Sequence, residues 1–431
     1  MQSLSIVGIH MKNLTLSLCT IMASLFNVTA VHSHDIGHEH EHLDGGWNSK
    51  AGYVSDTDPK SYLWNPRGKS KEEIATRIQF LTEAYIPPST PEQEARDALA
   101  RKNYAEYIAI NSLMATAVAP AMAMNESHFQ KGVRDNEEAG ITLISASVYN
   151  TEKIFGDTMP TILKDSKAST VNYGGVVVDK VADIRKAKQE GKVAVMFNTQ
   201  GADYVVGDIE SQTIWSARNQ IKVMNTTYNN ANALAGGGSD KVETGLTDAG
   251  KRFVKYANQQ GIVLDCSHAS NQTCIDTAEA TNKPMIASHS NAAAVYNHTR
   301  NLSDDAILAI GETDGAVCPT GAGGFLAEDG KATPEVFAEH VVHIAKLIGK
   351  DKTCYSTDVA HNVADFYAVA VPRADIYPPE LGMAAPISNL HAKHIWSVVS
   401  VLEDKYKWTH DEIVGFLGEN LMRVYEANWR K

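Results

Sequence analysis

The stretch from Gly261 to Asn301 constrains the fold more than any other part of the chain. An apolar run, Ile262-Val263-Leu264-Asp265-Cys266, ends in Ser267-His268, and a second, Pro284-Met285-Ile286-Ala287-Ser288, ends in His289-Ser290. Short β-type runs that end in polar residues read as buried parallel strands handing over to loops. Between them, Asn271 to Asn282 has the composition of a crossover helix. A strand–helix–strand unit brings both strand ends to the same edge of a parallel sheet. His268 and His289 are therefore expected side by side at one rim, where two converging imidazoles make half of a metal site. A lone histidine at a strand end is more often a satisfied structural residue; two in matched positions of consecutive units put a ligand pair on an equal footing with that reading.

The same alternation recurs along the chain. The β-like runs are Tyr107–Ser112, Ile141–Val148, Val193–Asn198, Ile221–Thr226, Ile262–Cys266, Pro284–Ser288, Gly315–Pro319 and Thr353–Thr357. Helical patterns separate most of them: Phe129–Ala139, Val181–Glu190, Ala249–Gln260, Asp304–Ile310 and Thr333–Ile348. Strands alternating with helices predict a parallel α/β sheet, and eight of them predict a closed (β/α)8 TIM-type barrel. An open doubly wound sheet is the alternative, but no Gly-rich dinucleotide fingerprint follows the first run.

Residues 107–431 are assigned to the barrel and its C-terminal helices. Residues 51–106 form an N-terminal extended and helical arm rich in Pro, Gly and Tyr. Within it Lys69–Thr82 reads as a short helix with a Ser70/Glu73 capping box. A second helix opens at Thr90-Pro91 and runs to about Tyr104. Ahead of the arm, Lys12 precedes the apolar stretch Leu14–Val31, and both Val28-Thr29-Ala30 and Val31-His32-Ser33 satisfy a small-x-small cleavage rule. Ser17, Thr20, Ser24, Asn27 and Thr29 make it a poor permanent span, so residues 1–33 read as a cleaved signal peptide. The expected location is periplasmic or secreted, with no stable membrane span after signal removal. Residues 34–50 form a polar tail in which His34, His38, His40 and His42 alternate with acids; it is a disordered tail or a weak divalent-metal scavenger.

The formal net charge of −12 excludes nucleic acid as an expected partner, since phosphate binding needs a basic surface. Cys266, Cys318 and Cys354 lie in or beside predicted strands, where buried free thiols are common, and no disulfide is expected. Barrel chemistry sits beyond the C-terminal ends of the strands. The residues there are Leu113 and Ala115, Gln200, Tyr228, His268, His289 and Asp358, with Arg300 in the loop beyond His289.

These blocks resemble those of the membrane (renal-type) dipeptidases, zinc peptidases of the amidohydrolase-like barrels. Gly245-Leu-Thr-Asp-Ala-Gly250 followed by Gly261-Ile-Val-Leu-Asp-Cys-Ser-His-Ala-Ser270 is similar to the family's "GLT..G…G…D.SH.S" block. Pro284-Met-Ile-Ala-Ser-His-Ser-Asn-Ala292 resembles "P.I.SHS.A", and Arg300-Asn301-Leu-Ser-Asp304-Asp305 resembles "RN..DD". Thr226-Thr-Tyr-Asn229 with Asn232 is similar to "LTYN..N", and Gly418-Glu-Asn420-Leu-Met-Arg423-Val424 to the closing "G.N..RV". The resemblance runs from about Ile108 to the C-terminus.

The resemblance implies a metal-dependent hydrolase of dipeptides or similarly small N-acyl amino acids, and pairing into homodimers. It places two metal-binding histidines on His268 and His289, the bridging Glu on Gln200, the substrate-gripping Arg on Arg300 and the strand-8 Asp on Asp358. The His-x-Asp pair of the first metal falls on Leu113 and Ala115, which cannot bind metal. The expectation is therefore a divergent member with one zinc ion, held by His268, His289 and the amide oxygen of Gln200. Asp358 would serve as general base, Arg300 as the fork for a carboxylate, and Tyr228 as a wall of the carbonyl pocket. A degenerate family member that binds a small carboxylate without cleaving it is the competing expectation, and a metal-handling accessory protein built around the tail ranks behind both.

Overall fold

The computed structural model describes residues 60, 64, 66–115, 126–150, 159–372 and 385–429. The signal peptide, the His-rich tail and most of residues 51–65 lie outside that set. Seven parallel strands follow one another around a curled sheet: β1 (Ile110–Met114), β2 (Leu143–Asn150), β4 (Ala194–Gln200), β5 (Ile221–Asn225), β6 (Val263–Asp265), β7 (Ile286–Ala287) and β8 (Ala316–Val317). The two-residue β3 (Val176–Val177) also pairs with β4. The segment 353–357 closes the ring. Thr353 bridges Val317, Ser356 bridges Thr320, and the Ser112 amide donates to the Tyr355 carbonyl across the seam to β1 at 3.1 Å. The expected eighth strand is thus present as bridges rather than as a regular strand, and β3 was not foreseen.

The barrel wall obeys the two-residue period of a strand. Along β4, Val195 and Phe197 join the hydrophobic layer under the helices, while Ala194 and Met196 join the interior cluster. The interior row changes character toward the C-terminal ends. At the bottom it is Ile110, Leu143, Met196, Val223, Val263 and Ile286, sealed by Leu421, Met422 and Tyr425 of the last helix, Asn420–Asn428. Above them it becomes Ser145, Ser147, Asn198, Gln200, Asn225 and Asp265, all buried. Buried polar groups survive only when bonded, and here they bond to one another or to nearby backbone. Asn198 Nδ2 donates to Ser145 Oγ at 2.8 Å, and Asn225 Nδ2 to the Ser267 carbonyl at 2.6 Å. An apolar plug below and a bonded polar layer above give the mouth a rigid floor.

Helix α1 (Lys71–Ala84) carries the expected capping box. Glu73 N–H donates to Ser70 Oγ, and Ser70 N–H donates to the Glu73 carboxylate. Helix α2 (Pro91–Asn103) starts with Thr90 as cap and Pro91 in the first turn. The arm packs on the end of the barrel that carries Asp358: Trp64, Leu81 and Tyr85 share a core with Val359, Ala360 and Tyr367. The Ala360 amide donates to Tyr85 Oη at 2.8 Å.

The cysteines correct the sequence reading. Cys266 is bonded to Cys274 and Cys318 to Cys354, with Cα separations of 5.3 and 4.4 Å. Cys274 sits in the first turns of helix Asn271–Ala280, which folds back over the end of β6. Cys318 and Cys354 face each other across the seam between β8 and the closing segment. Both pairs depend on how strands and helices stack, which residue spacing does not encode.

Candidate active site

His268 and His289 meet at the barrel mouth. Their Nε2 atoms are 2.8 Å apart and both residues are buried. His268 Nε2 also lies 2.7 Å from Gln200 Oε1. The surrounding bonds fix which atoms carry protons. Ser288 Oγ donates to the Asp265 carboxylate, so it must accept from His289 Nδ1, 2.6 Å away. His268 Nδ1 lies 2.7 Å from Asn229 Oδ1, an acceptor, and so carries its own proton. Gln200 donates through Nε2 to Ser147 Oγ at 2.6 Å, which leaves Oε1 pointing at the histidines. Burial and the nearby Arg300 cation hold both imidazoles well below their usual pKa; for His268, His289 adds to the effect. Both rings are then neutral, and three lone pairs converge with no hydrogen between them: His268 Nε2, His289 Nε2 and Gln200 Oε1.

Local backbone aims these groups. His268 (φ 70°), Asn229 (φ 58°) and Asp358 (φ 52°) all adopt left-handed conformations. Such residues are held only where the surroundings over-determine them, and they cluster at functional sites. The loop presenting Asn229 is locked by Asn232, whose Oδ1 accepts from the Leu234 and Ala235 amides and whose Nδ2 donates to the Thr226 carbonyl. Gly237 packs so tightly beneath it that a Cβ would lie 2.2 Å from the Asn229 carbonyl oxygen. Tyr228 stacks on the His268 ring at 4.2 Å between centroids.

Arg300 is buried over the Phe325 ring, 5.4 Å from its centroid, and its Nη2 has no hydrogen-bond partner. Burial pushes its pKa down, while Asp358 and Tyr228 oppose that shift. Asp358 follows the closing segment, and its amide donates to the Leu113 carbonyl at 3.3 Å. Burial lifts its carboxyl to about 7, partly offset by Arg300. Gln200, His268, His289 and Tyr228 are therefore in direct contact, and Arg300 and Asp358 share their electrostatic environment. Leu113 and Ala115 are buried and apolar. Among the described residues, no three His, Cys, Asp or Glu side chains converge on one point.

The Asn229 support and the Asp265–Ser288 relay behind His289 were not singled out from sequence. Their signal lies in the motifs themselves, as the Asn of Thr226-Thr-Tyr-Asn229, the Asp three residues ahead of His268 and the Ser just ahead of His289.

Residues 166–364 match the family model for membrane dipeptidase (peptidase family M19). An uncharacterised dipeptidase of Schizosaccharomyces pombe is 32% identical over 132 residues, which is 30% of this chain and 32% of that protein's length. Among solved structures, an amidohydrolase from Pseudomonas aeruginosa superposes with a TM-score of 0.67 at 22% identity, over 77% of this chain and 99% of that one. A metallo peptidase from Rhodobacter sphaeroides, liganded with a phosphinate mimic of the dipeptide L-Ala-D-Ala, superposes with a TM-score of 0.60 at 17% identity, over 75% and 99% of the respective chains. The structural likenesses establish the barrel fold, and the segment 166–364 is similar to the membrane dipeptidase family.

Proposed function

We propose that this protein is an exported, single-metal hydrolase that cleaves a dipeptide or a similarly small amide. The observation that carries the proposal is the convergence of three bare lone pairs, from two neutral imidazoles and one amide oxygen, in a buried pocket. Unshielded lone pairs at 2.7 and 2.8 Å repel one another unless a cation lies between them, so the donor set fits a metal ion. Nitrogen and oxygen donors of this kind suit zinc, with solvent in the remaining position. When bound there, zinc would supply Lewis acidity toward a carbonyl and toward water.

The chain's own groups provide the rest. With its carboxyl near 7, Asp358 is poised to take a proton from the attacking water and return it to the leaving amine. Arg300 presents an unpaired Nη2 in a buried site, where a substrate carboxylate gains a charge-assisted bond. Tyr228 holds the His268 ring from one face and limits the width of the pocket. Export is supported by the two disulfides, which persist in oxidising compartments, and by the apolar stretch Leu14–Val31.

Metal analysis of the purified protein, followed by assay against a dipeptide panel, tests this reading. The expected result is about one zinc per chain, beyond any held by the tail, with turnover abolished in His268→Ala and His289→Ala. The loss of ligands at Leu113 and Ala115 favours one other outcome, a degenerate carboxylate binder. It would show a ligand-induced rise in Tm without hydrolysis, and that result would overturn the enzymatic reading.

A further inference from the structure

The N-terminal arm lies outside the family-model match, which begins at residue 166, yet it reaches the turn that carries Asp358. Helix α1 ends with Tyr85 as its C-cap, and Pro87 and Pro88 follow, where a helix cannot continue. Leu81 and Tyr85 are four residues apart, so their side chains share one face, and both are buried against Val359, Ala360 and Tyr367. The Tyr85 ring is fixed edge-on by Tyr367 at 5.8 Å and by His391 at 5.6 Å between centroids. Its carbonyl accepts from the Asn389 amide at 2.8 Å. Ring and backbone are thus both held, and the hydroxyl has a fixed place.

The Asp358 turn is gripped from two sides. From β1, the Leu113 carbonyl accepts from the Asp358 amide at 3.3 Å and from Thr357 Oγ1 at 3.1 Å, and Asn111 Oδ1 accepts from the Thr357 amide at 3.2 Å. From the arm, Tyr85 Oη accepts from the Ala360 amide at 2.8 Å. Asp358 sits between these anchors in a left-handed conformation, φ 52°. Such backbone is strained and persists only where its neighbours over-determine it. Burial raises the Tyr85 phenol pKa, the Ala360 amide opposes that and the Asp358 charge adds to it. The hydroxyl therefore stays protonated and lies within the field of that carboxylate. Without it, the buried Ala360 amide loses its acceptor and the turn loses its grip on the arm side.

We propose that Tyr85 is a positioning residue of the active site: through the Ala360 amide it holds the turn that aims the Asp358 carboxyl, so that the arm forms part of the site. The inference rests on the reading of Asp358 as general base and adds the element that fixes where the base stands. Misplacing a reacting group by about 1 Å costs on the order of 100-fold in rate, so loss of one anchor registers in kcat. Arg300 lies over Phe325, and the two histidines are backed by Asn229 and Ser288. Substrate and metal binding are held by these other elements and do not depend on Tyr85.

The test is steady-state dipeptide hydrolysis by the full-length, zinc-loaded protein as wild type, Tyr85→Phe and Tyr104→Phe, with amide hydrogen exchange on the same samples. Tyr104 is the control, an arm tyrosine whose hydroxyl donates to Glu403 at 2.6 Å, away from the Asp358 turn. Tyr85→Phe keeps the ring. It is expected to lower kcat at least tenfold with KM and bound zinc unchanged, and to speed exchange of the Ala360 amide at least tenfold. Tyr104→Phe should leave both at the wild-type values. An unchanged kcat in Tyr85→Phe, or equal losses in the two variants, would overturn the proposal and leave Asp358 standing as the base. Absence of turnover in wild type would overturn the hydrolytic reading and this role together, and it is told apart by arising before any substitution. Should Tyr85→Phe fail to fold, wild-type exchange decides: slow exchange at Ala360 supports the anchor, and exchange at the rate of an unprotected amide overturns it.

Discussion

Asp358 offers the sharpest separation of stability from chemistry. Its carboxyl is raised from 3.8 to about 7 by burial, against the pull of Arg300. A group whose folded pKa lies above its unfolded value favours the fold most below the unfolded pKa, and that advantage is lost as pH rises through the folded one. Each pKa unit is worth about 1.4 kcal/mol, so holding the bare carboxylate above pH 7 costs the fold roughly 4 kcal/mol. Asp358→Asn removes the charge, keeps the shape, and keeps a residue type that tolerates the left-handed backbone at φ 52°. With metal stripped by chelator, the variant should be more stable than wild type at pH 8 by up to that amount. The difference should shrink by roughly 2–3 kcal/mol at pH 5, where the folded wild type holds its proton. Urea unfolding at the two pH values reads the difference directly. The same variant should be inactive, while wild-type kcat/KM rises with pH through about 7. A stability difference identical at both pH values would show that Asp358 is not desolvated in the folded protein, and the argument for a poised base would fall with it.

Two further outcomes follow from the geometry. Gln200→Glu places a negative charge beside His268 Nε2 and should raise zinc affinity at least tenfold in a chelator competition, because a unit charge pair near 4 Å is worth about 4 kcal/mol before desolvation takes its share. Cys266→Ala/Cys274→Ala opens the loop that carries His268 between residues eight apart; it should cost about 2–3 kcal/mol in denaturant unfolding and reduce bound zinc.

The barrel and the meeting of His268 with His289 were readable in the sequence because both arise from local pattern. Apolar runs of strand length, crossover helices and a polar residue at each run's end leave few topologies open. Helices Met159–Tyr173 and Ile209–Arg218 went unread, the first because Ser, Thr, Asn and Tyr dilute its helical signal, the second because Ile and Thr favour strands as readily. The closing segment 353–357 reads as a strand but pairs only through isolated bridges. The disulfides were invisible for a different reason, since Cys318 and Cys354 become neighbours only when the ring closes. Tyr85 and Ala360 are likewise joined by tertiary packing alone.

The losses at the mouth also have an electrostatic logic. Relative to the family pattern, Ala115 and Gln200 each stand where a carboxylate is expected, so two negative charges are missing together with the ligands of one divalent cation. Two carboxylates and one divalent ion cancel, so a site without all three keeps the same net charge. What is left is balanced at one remove. Asp358 faces Arg300, and the buried Asp265 carboxylate reaches His289 through Ser288, raising the basicity of the imidazole that would face a metal. Asp265 itself is pushed upward by burial and held back by its bonds to Ser288 and Ser267. In the proposed site, with an amide where the family pattern has a carboxylate, Asp265 would lend negative charge to an ion through Ser288 and His289. In the proposed site Ser288 behind His289, like Asn229 behind His268, would tune how tightly an ion is held without touching it.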